Sequence, residues 1–412
     1  MGNADFNVRV LSSRGVEELE SEMTKVGSEW AGVSRMAPKA VSMVVKVHNL
    51  RNPAVLILKE SFLSKGGDCA IHRDSITHRI DRSDCILLGT RKAFSQVISD
   101  LREQAFELPR VADEIQSAIE NFASKSLRMP DSARLSDPLR AFYSKLKSRT
   151  LIMGILNVTP DSFSDGGLHN APDAAAAHGL RMVEDGADVI DVGGESTRPG
   201  CAAVSAEEEI ARVVPAIRAL CERTDVPISV DTFKPEVARA ALDAGASIIN
   251  DITGLIDPEM RSLAAERRSP SVLMHMRGTA QTMQEYAEYD DLISDVMREL
   301  RERIGAAVEA GLPEEYIIVD PGVGFAKTAE QNMEIIRKLA DFKSLGLPIL
   351  MGTSRKGFIG KVLGGVPADK RVEGTAATVA LSIANGANIV RVHDVAQMSE
   401  VARVCDAILR AE

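Results

Sequence analysis

The chain has 412 residues, 45% of them hydrophobic and 26% charged, and a formal net charge of −10. That balance is ordinary for a soluble globular protein of one large domain plus a smaller one, and it argues against nucleic acid as the partner. No apolar run reaches the roughly 18 residues of a membrane span. No apolar signal region follows the opening "MGNADFNVRV", and the five cysteines are scattered without a CxxC pair, which suits reduced thiols in a cytoplasmic protein.

Residues 1–123 alternate strand-like runs ("FNVRVL", "VSMVVKVHNL", "CILLGT") with helical patterns at 13–26, 52–65, 91–105 and 110–125. This predicts a small α/β domain, with no phosphate loop or metal cluster to assign it a role. The stretch 124–149, "SKSLRMPDSARLSDPLRAFYSKLKSR", is rich in Ser, Arg and Pro and reads as a linker.

From residue 150 the rhythm changes. Short apolar runs end in polar or Gly residues and are followed by helical patterns: "LIMGIL", "ADVIDVGG", "PISVDT", "ASIIND", "SVLMHM", "YIIVDPG", "PILMGTSR" and "ANIVRVHD". Their continuous apolar character suits parallel strands covered on both faces. Ser205 with Glu208 has the spacing of a capping box, Pro235 suits a first helical position, and Leu292, Val296, Leu300 and Ile304 mark one helix face. Eight such units over residues 150–412 predict a (β/α)8 barrel, the TIM-barrel architecture; an open doubly wound sheet fits eight successive units less well.

In a barrel of this kind functional groups gather on the loops after the strands. Here those ends carry Asn157, then "ESTR" with Arg198, then Asp231, Asn250-Asp251, His275-Met276, Asp320, "SRK" at 354–356, and "RVHD" at 391–394. Two kinds of chemistry result. Arg198, Arg355, Lys356, Arg391 and His393 form a cationic set suited to phosphate or pyrophosphate. Asp231, Asn250, Asp251 and Asp320 form an acceptor set able to read the N–H and NH2 edge of a flat heterocycle. No motif for zinc or iron is present, while a magnesium between pyrophosphate and one amide or carboxylate stays open.

These stretches carry a resemblance. "GILNVTPDSFSDGG" (154–167), "DVGGESTRPG" (191–200), "SVDTFKPEV" (229–237), "IINDITG" (248–254), "VLMHMRGT" (272–279), "VDPGVGFAKT" (319–328), "GTSRKGFIG" (352–360), "EGTAAT" (373–378) and "VRVHDV" (390–395) run in the order of the dihydropteroate synthase family. The resemblance covers the barrel and implies a transferase of folate biosynthesis that joins (7,8-dihydropterin-6-yl)methyl diphosphate to 4-aminobenzoate. It implies pterin contacts from Asp231, Asn250, Asp320 and Lys356, with Met274 and Phe325 beside the ring. It gives pyrophosphate to Asn157, Arg198, Arg391 and His393, with Mg2+ near Asn157. Phe163, Thr197, Pro199 and Ser354 would shape the 4-aminobenzoate pocket that sulfonamides mimic, and a homodimer through barrel helices is expected. Arg277, Ala280 and Gly357 depart from the family pattern; Arg277 either adds positive charge at the rim or, the preferred reading, is solvated and idle. The alternatives are a methyltetrahydrofolate-dependent methyltransferase, which does not need Arg198, Arg391 and His393, and a non-catalytic pterin-binding protein.

Overall fold

The structure, a computed structural model, describes residues 8, 9, 11, 15–77, 79–124, 126–159, 171–195 and 204–409. The chain divides into two units, residues 1–120 and 121–412.

The first unit contains α1 (Val16–Lys25), α2 (Trp30–Ala40), β1 (Ser42–Arg51), α3 (Asn52–Ser64), β2 (Asp68–Ile71), β3 (Arg82–Thr90), α4 (Arg91–Leu101) and most of α5 (Leu108–Ala123). The strands form an antiparallel sheet in the order β1-β3-β2. Alternation along β3 sends Cys85 and Leu87 into a core with Leu58, Phe62, Phe94 and Val97, while Asp84, Ile86 and Leu88 stay exposed. One sheet face is therefore covered and the other open, the usual antiparallel arrangement. The helices expected at 52–65 and 91–105 form as α3 and α4. Those at 13–26 and 110–125 form as α1 and α5, and α2, which buries Val33 and Ala37, comes in addition to the expected helices. The run "FNVRVL" yields no strand at 8, 9 or 11, and its other residues lie outside those described.

The second unit begins with α6 (Asp137–Ser148), inside the stretch read as linker. Its Leu139, Phe142, Tyr143 and Leu146 enter the barrel's own apolar core. Eight strands follow: β4 (Leu151–Asn157), β5 (Val189–Gly193), β6 (Ile228–Asp231), β7 (Ile248–Asp251), β8 (Ser271–Met274), β9 (Ile317–Asp320), β10 (Leu350–Met351) and β11 (Ile389–Val392). All pair in parallel in the order β10-β11-β4-β5-β6-β7-β8-β9, and a parallel bridge between Val319 and Ile349 joins the ends of the series. The (β/α)8 expectation is met.

The barrel helices are α7 (Ala171–Glu184), α8 (Ala206–Cys221), α9 (Pro235–Asp243), α10 (Pro258–Arg267), α11 (Leu292–Glu309), α12 (Ala329–Arg337), α13 (Gly357–Val362), α14 (Val372–Ala384) and α15 (Val395–Leu409). Leu292, Val296, Leu300 and Ile304 are buried along α11 as the spacing required. Ser205 caps α8 by accepting from the Glu208 N–H at 3.2 Å, but the Glu208 carboxylate pairs with Arg212, so only half of the capping box forms.

Candidate active site

Strand register sets the site. Asn157 pairs with Gly193, Gly193 with Asp231, and Asp231 with Asn250, so β4, β5 and β6 end at one level and β7 runs one residue past it. Asp320 is paired with Met274 across β8 and β9.

Arg391 enters this level from β11. Its Nε donates to Asp191 Oδ2 at 2.6 Å and its Nη2 to Asp231 Oδ2. Asn250 Nδ2 also donates to Asp191 Oδ2, at 2.9 Å. Burial pushes Asp231 up to about 7, with Asp191 adding repulsion and Arg391 pulling the other way. Burial opposes the Arg391 charge as well, but Asp191 and Asp231 outweigh it and hold that proton more firmly than usual. Two acids thus share one guanidinium in a dry setting, where each interaction is strong. Asp191 is fully buried and its Oδ1 has no partner among the described residues. It was not among the sequence candidates, although an acid inside the apolar run "ADVIDVGG" was a signal for it.

Asp320 is buried at the far side of the mouth. Its Oδ1 accepts from the Gly322 N–H at 2.7 Å. Burial raises its pKa, against the Gly322 hydrogen bond and the charge of Lys356. Lys356 Nζ lies 4.2 Å from the Phe325 ring centroid, a cation–π contact. Phe325, Met274, Ile252, Met276 and Met283 form an apolar cluster with Phe233 against it. A flat ring beside that cluster would meet polarisable side chains at its face and carboxylates at its edge.

On the other side, Asn157 and His393 line a cavity of about 460 Å3 together with Arg355, Asp394 and the first residues of α15. The N-terminus of a helix and a histidine make this wall suited to an anion. His393 Nδ1 lies 3.0 Å from Ser354 Oγ, which also accepts from the His393 backbone N–H at 3.1 Å. Asn157 supplies one hard oxygen. Among the described residues no three His, Cys, Asp or Glu side chains gather to hold a metal ion. A divalent ion would therefore draw most of its ligands from phosphate oxygens and water, which magnesium accepts.

Three sequence readings need correction. Asp251 is not available as an edge reader: its carboxylate accepts from Thr253 N at 2.7 Å, Thr253 Oγ1 at 2.8 Å and Leu255 N at 3.0 Å, and so shapes the loop after β7. Arg355 is bound to Asp394 through Nε at 3.0 Å and Nη2 at 2.5 Å, so its charge is locally balanced. Arg277 is far from idle. It donates to Glu299 through Nε and Nη2, and its guanidinium lies 4.0 Å from the Tyr289 ring centroid. Phe163, Thr197, Arg198 and Pro199 lie outside the described residues.

The model of the pterin binding enzyme family matches residues 153–393. A dihydropteroate synthase of Bacillus subtilis is 53% identical over 264 residues, which cover 64% of this chain and 90% of that one. A probable bifunctional folylpolyglutamate synthase/dihydropteroate synthase of Haloferax volcanii is 42% identical over 364 residues, covering 88% of this chain and 43% of that one. Among solved structures, a dihydropteroate synthase of Xanthomonas albilineans with 4-aminobenzoic acid superposes with a TM-score of 0.61 at 47% identity, covering 64% of this chain and 94% of that one. With the barrel, the shared level of strand ends and these relatives together, the chain belongs to the pterin binding enzyme family and, within it, to the dihydropteroate synthases.

Proposed function

We propose that this transferase displaces pyrophosphate from (7,8-dihydropterin-6-yl)methyl diphosphate with the amine of 4-aminobenzoate, giving 7,8-dihydropteroate. The observation that carries the reading is the single level at which the pairing sets Asn157, Asp231 and Asn250 side by side, with Arg391 reaching into it. Heterocycle recognition and anion recognition thereby share one mouth. The methyltransferase and binding-only alternatives are not favoured, because the relatives matching over most of their length are synthases.

Asp231, Asn250, Asp320 and Lys356 would hold the pterin edge, with Met274 and Phe325 beside its face. Asn157, Arg391, His393 and Arg198 would take the diphosphate. Toward the described residues Arg391 donates through Nε and Nη2, and its Nη1 or the second Nη2 hydrogen would be turned to a phosphate oxygen. Breaking the C–O bond moves negative charge onto the departing pyrophosphate, and preorganised cations stabilise that charge without reorganising. A bound Mg2+, held by the diphosphate and Asn157, would supply Lewis-acid neutralisation of the leaving group. The attacking aniline loses its proton late, so no separate strong base is needed.

Phe163, Thr197, Pro199 and Ser354 would shape the 4-aminobenzoate wall, and of these Ser354 is held against His393 on the pyrophosphate side. That link favours ordered binding, diphosphate first. We place the protein in the cytoplasm, where its scattered cysteines would stay reduced thiols. We also propose a homodimer; exposed Leu381 on α14 and Val404 and Ile408 on α15 offer an apolar surface for it.

The test is pyrophosphate release by the full-length chain with the pterin diphosphate and Mg2+. Release that depends on 4-aminobenzoate, with equal dihydropteroate formed, supports the reading; amine-independent or absent release defeats it.

A further inference from the structure

Behind Asp320 and Phe325 runs a line of buried ionisable groups that pocket recognition alone does not require. Lys327 is 3% exposed and His275 fully buried. Lys327 Nζ donates to the carbonyls of Gly322 and Phe325, each at 3.1 Å, and lies 3.0 Å from His275 Nδ1. His275 Nε2 lies 3.0 Å from Glu299 Oε2, and Glu299 in turn accepts from Arg277. An ammonium has no lone pair, so Nδ1 is the acceptor and the ring proton sits on Nε2, facing Glu299. The donors therefore run one way, from Lys327 to His275 to Glu299.

An ammonium in the interior is costly unless its partners are well placed. Here they belong to the two loops that follow β8 and β9, and one of them connects directly to the pocket. The Gly322 carbonyl accepts from Lys327, while the Gly322 N–H donates to Asp320 Oδ1. Phe325, whose carbonyl also accepts from Lys327, presents its ring to Lys356. One cation thus ties down the turn that aims both Asp320 and Phe325.

We infer that Lys327 is a positioning residue for the pterin side of the pocket: it clamps the 320–325 turn to His275 and, below neutral pH, sets a positive charge behind Asp320, keeping that carboxyl an ionised and correctly aimed acceptor. The inference rests on the pterin reading above. Asp320 and Glu299 favour the Lys327 charge, and Arg303 and Arg277 oppose it. Around Asp320, burial favours the neutral acid, while Lys356, Lys327 and Arg391 favour the carboxylate. Burial brings Lys327 down to about 7, so it keeps its charge through the acid range in which Asp320 would take up a proton.

The test titrates the full-length protein with 6-hydroxymethyl-7,8-dihydropterin by fluorescence between pH 5 and 8, and measures KM for 4-aminobenzoate at pH 7. Lys327→Met removes the charge and the donors; Lys327→Gln removes the charge and keeps two donors. In both, pterin affinity at pH 6 is expected to fall about tenfold and the acid limb to move up by about one pH unit. The KM for 4-aminobenzoate is expected to change far less. Gln should recover thermal stability relative to Met without recovering the limb, a separation that a purely structural role would not produce. A folded variant with the wild-type affinity and limb overturns the proposal. Should neither variant fold, Glu299→Gln at the outer end of the line is read instead. It removes a charge that favours Lys327, so the limb must move the same way by less, and an unmoved limb again overturns the proposal. Failure of the wild type to bind the pterin at all would overturn the functional reading instead.

Discussion

Arg391 on β11 donates to Asp191 on β5 across 2.6 Å, and the same guanidinium reaches Asp231 on β6. Two hundred residues of sequence separate the first pair. The contact places a cation where the acids assigned to the pterin meet the wall assigned to the anion, and it ties the fully buried Asp191 to both.

Asp191→Asn keeps the shape and removes one of the two charges that hold Arg391. Asp191 also raises the proton affinity of Asp231, so its loss should lower that of Asp231. We expect kcat/KM for the pterin diphosphate to fall by about tenfold or more, with the acid limb of the pH profile moving down. Steady-state kinetics from pH 5 to 8 check both signs.

Arg391→Ala removes a group assigned to the departing pyrophosphate. Losing one such preorganised donor costs about 10²–10³ in kcat. Pterin affinity, measured by equilibrium titration, should fall much less. Equal losses in kcat and affinity would move Arg391 from leaving-group stabilisation to ground-state binding.

Burial, with Lys327 adding to it, brings His275 down to about 3 in the folded chain, from an ordinary value of 6.5. The unfolded chain therefore takes up this proton below 6.5 while the folded chain does not until about 3. The contribution is fully present above pH 6.5 and is lost as pH falls toward 3. Between pH 7 and 4 the stability advantage of wild type over His275→Asn should shrink by about 2–3 kcal/mol. Urea unfolding at several pH values measures it.

Gly322 has φ +73°, and a Cβ there would sit 1.9 Å from the His275 carbonyl oxygen, which belongs to backbone and cannot rotate away. Gly322→Ala should destabilise by roughly 3 kcal/mol or more and abolish pterin binding, since the same residue holds Asp320 and Lys327. Gly305, within α11, has open space around its Cβ position, so Gly305→Ala should stabilise by about 0.5–1 kcal/mol. Thermal unfolding of the two variants gives opposite signs.

Lys234 Nζ donates to Glu195 at 2.7 Å, to Glu209 at 2.5 Å and to the Val204 carbonyl at 2.7 Å. Glu209 is 1% exposed, so removing its partner strands a buried carboxylate. Lys234→Met should cost about 3–5 kcal/mol near pH 7. Urea unfolding of wild type and variant at pH 7 measures the gap.

Much of the barrel could be read from the chain because its signals are local. Strands buried on both faces need unbroken apolar runs, and the one buried face of α11 needs its 292, 296, 300, 304 spacing; both survive in one dimension. Helix starts at Ser205 and Pro235 are equally local. In the first unit the same logic found α1, α3, α4 and α5 but not α2.

The sequence by itself determined the strand–helix alternation, the polar strand ends and the motif order that resembles the dihydropteroate synthases. Only the tertiary structure decided which of those polar groups are still available to a ligand. Asp251, Asn250, Arg355, Arg391 and Arg277 look alike as polar residues at strand ends and on the loops that follow. Yet Asp251 is consumed by its own loop, Arg355 by Asp394 and Arg277 by Glu299, while Asn250 and Arg391 meet at Asp191. The reason is that a charge's role depends on its partners, and on the water excluded around them. Both are set by residues tens to hundreds of positions away, brought together when eight strands close.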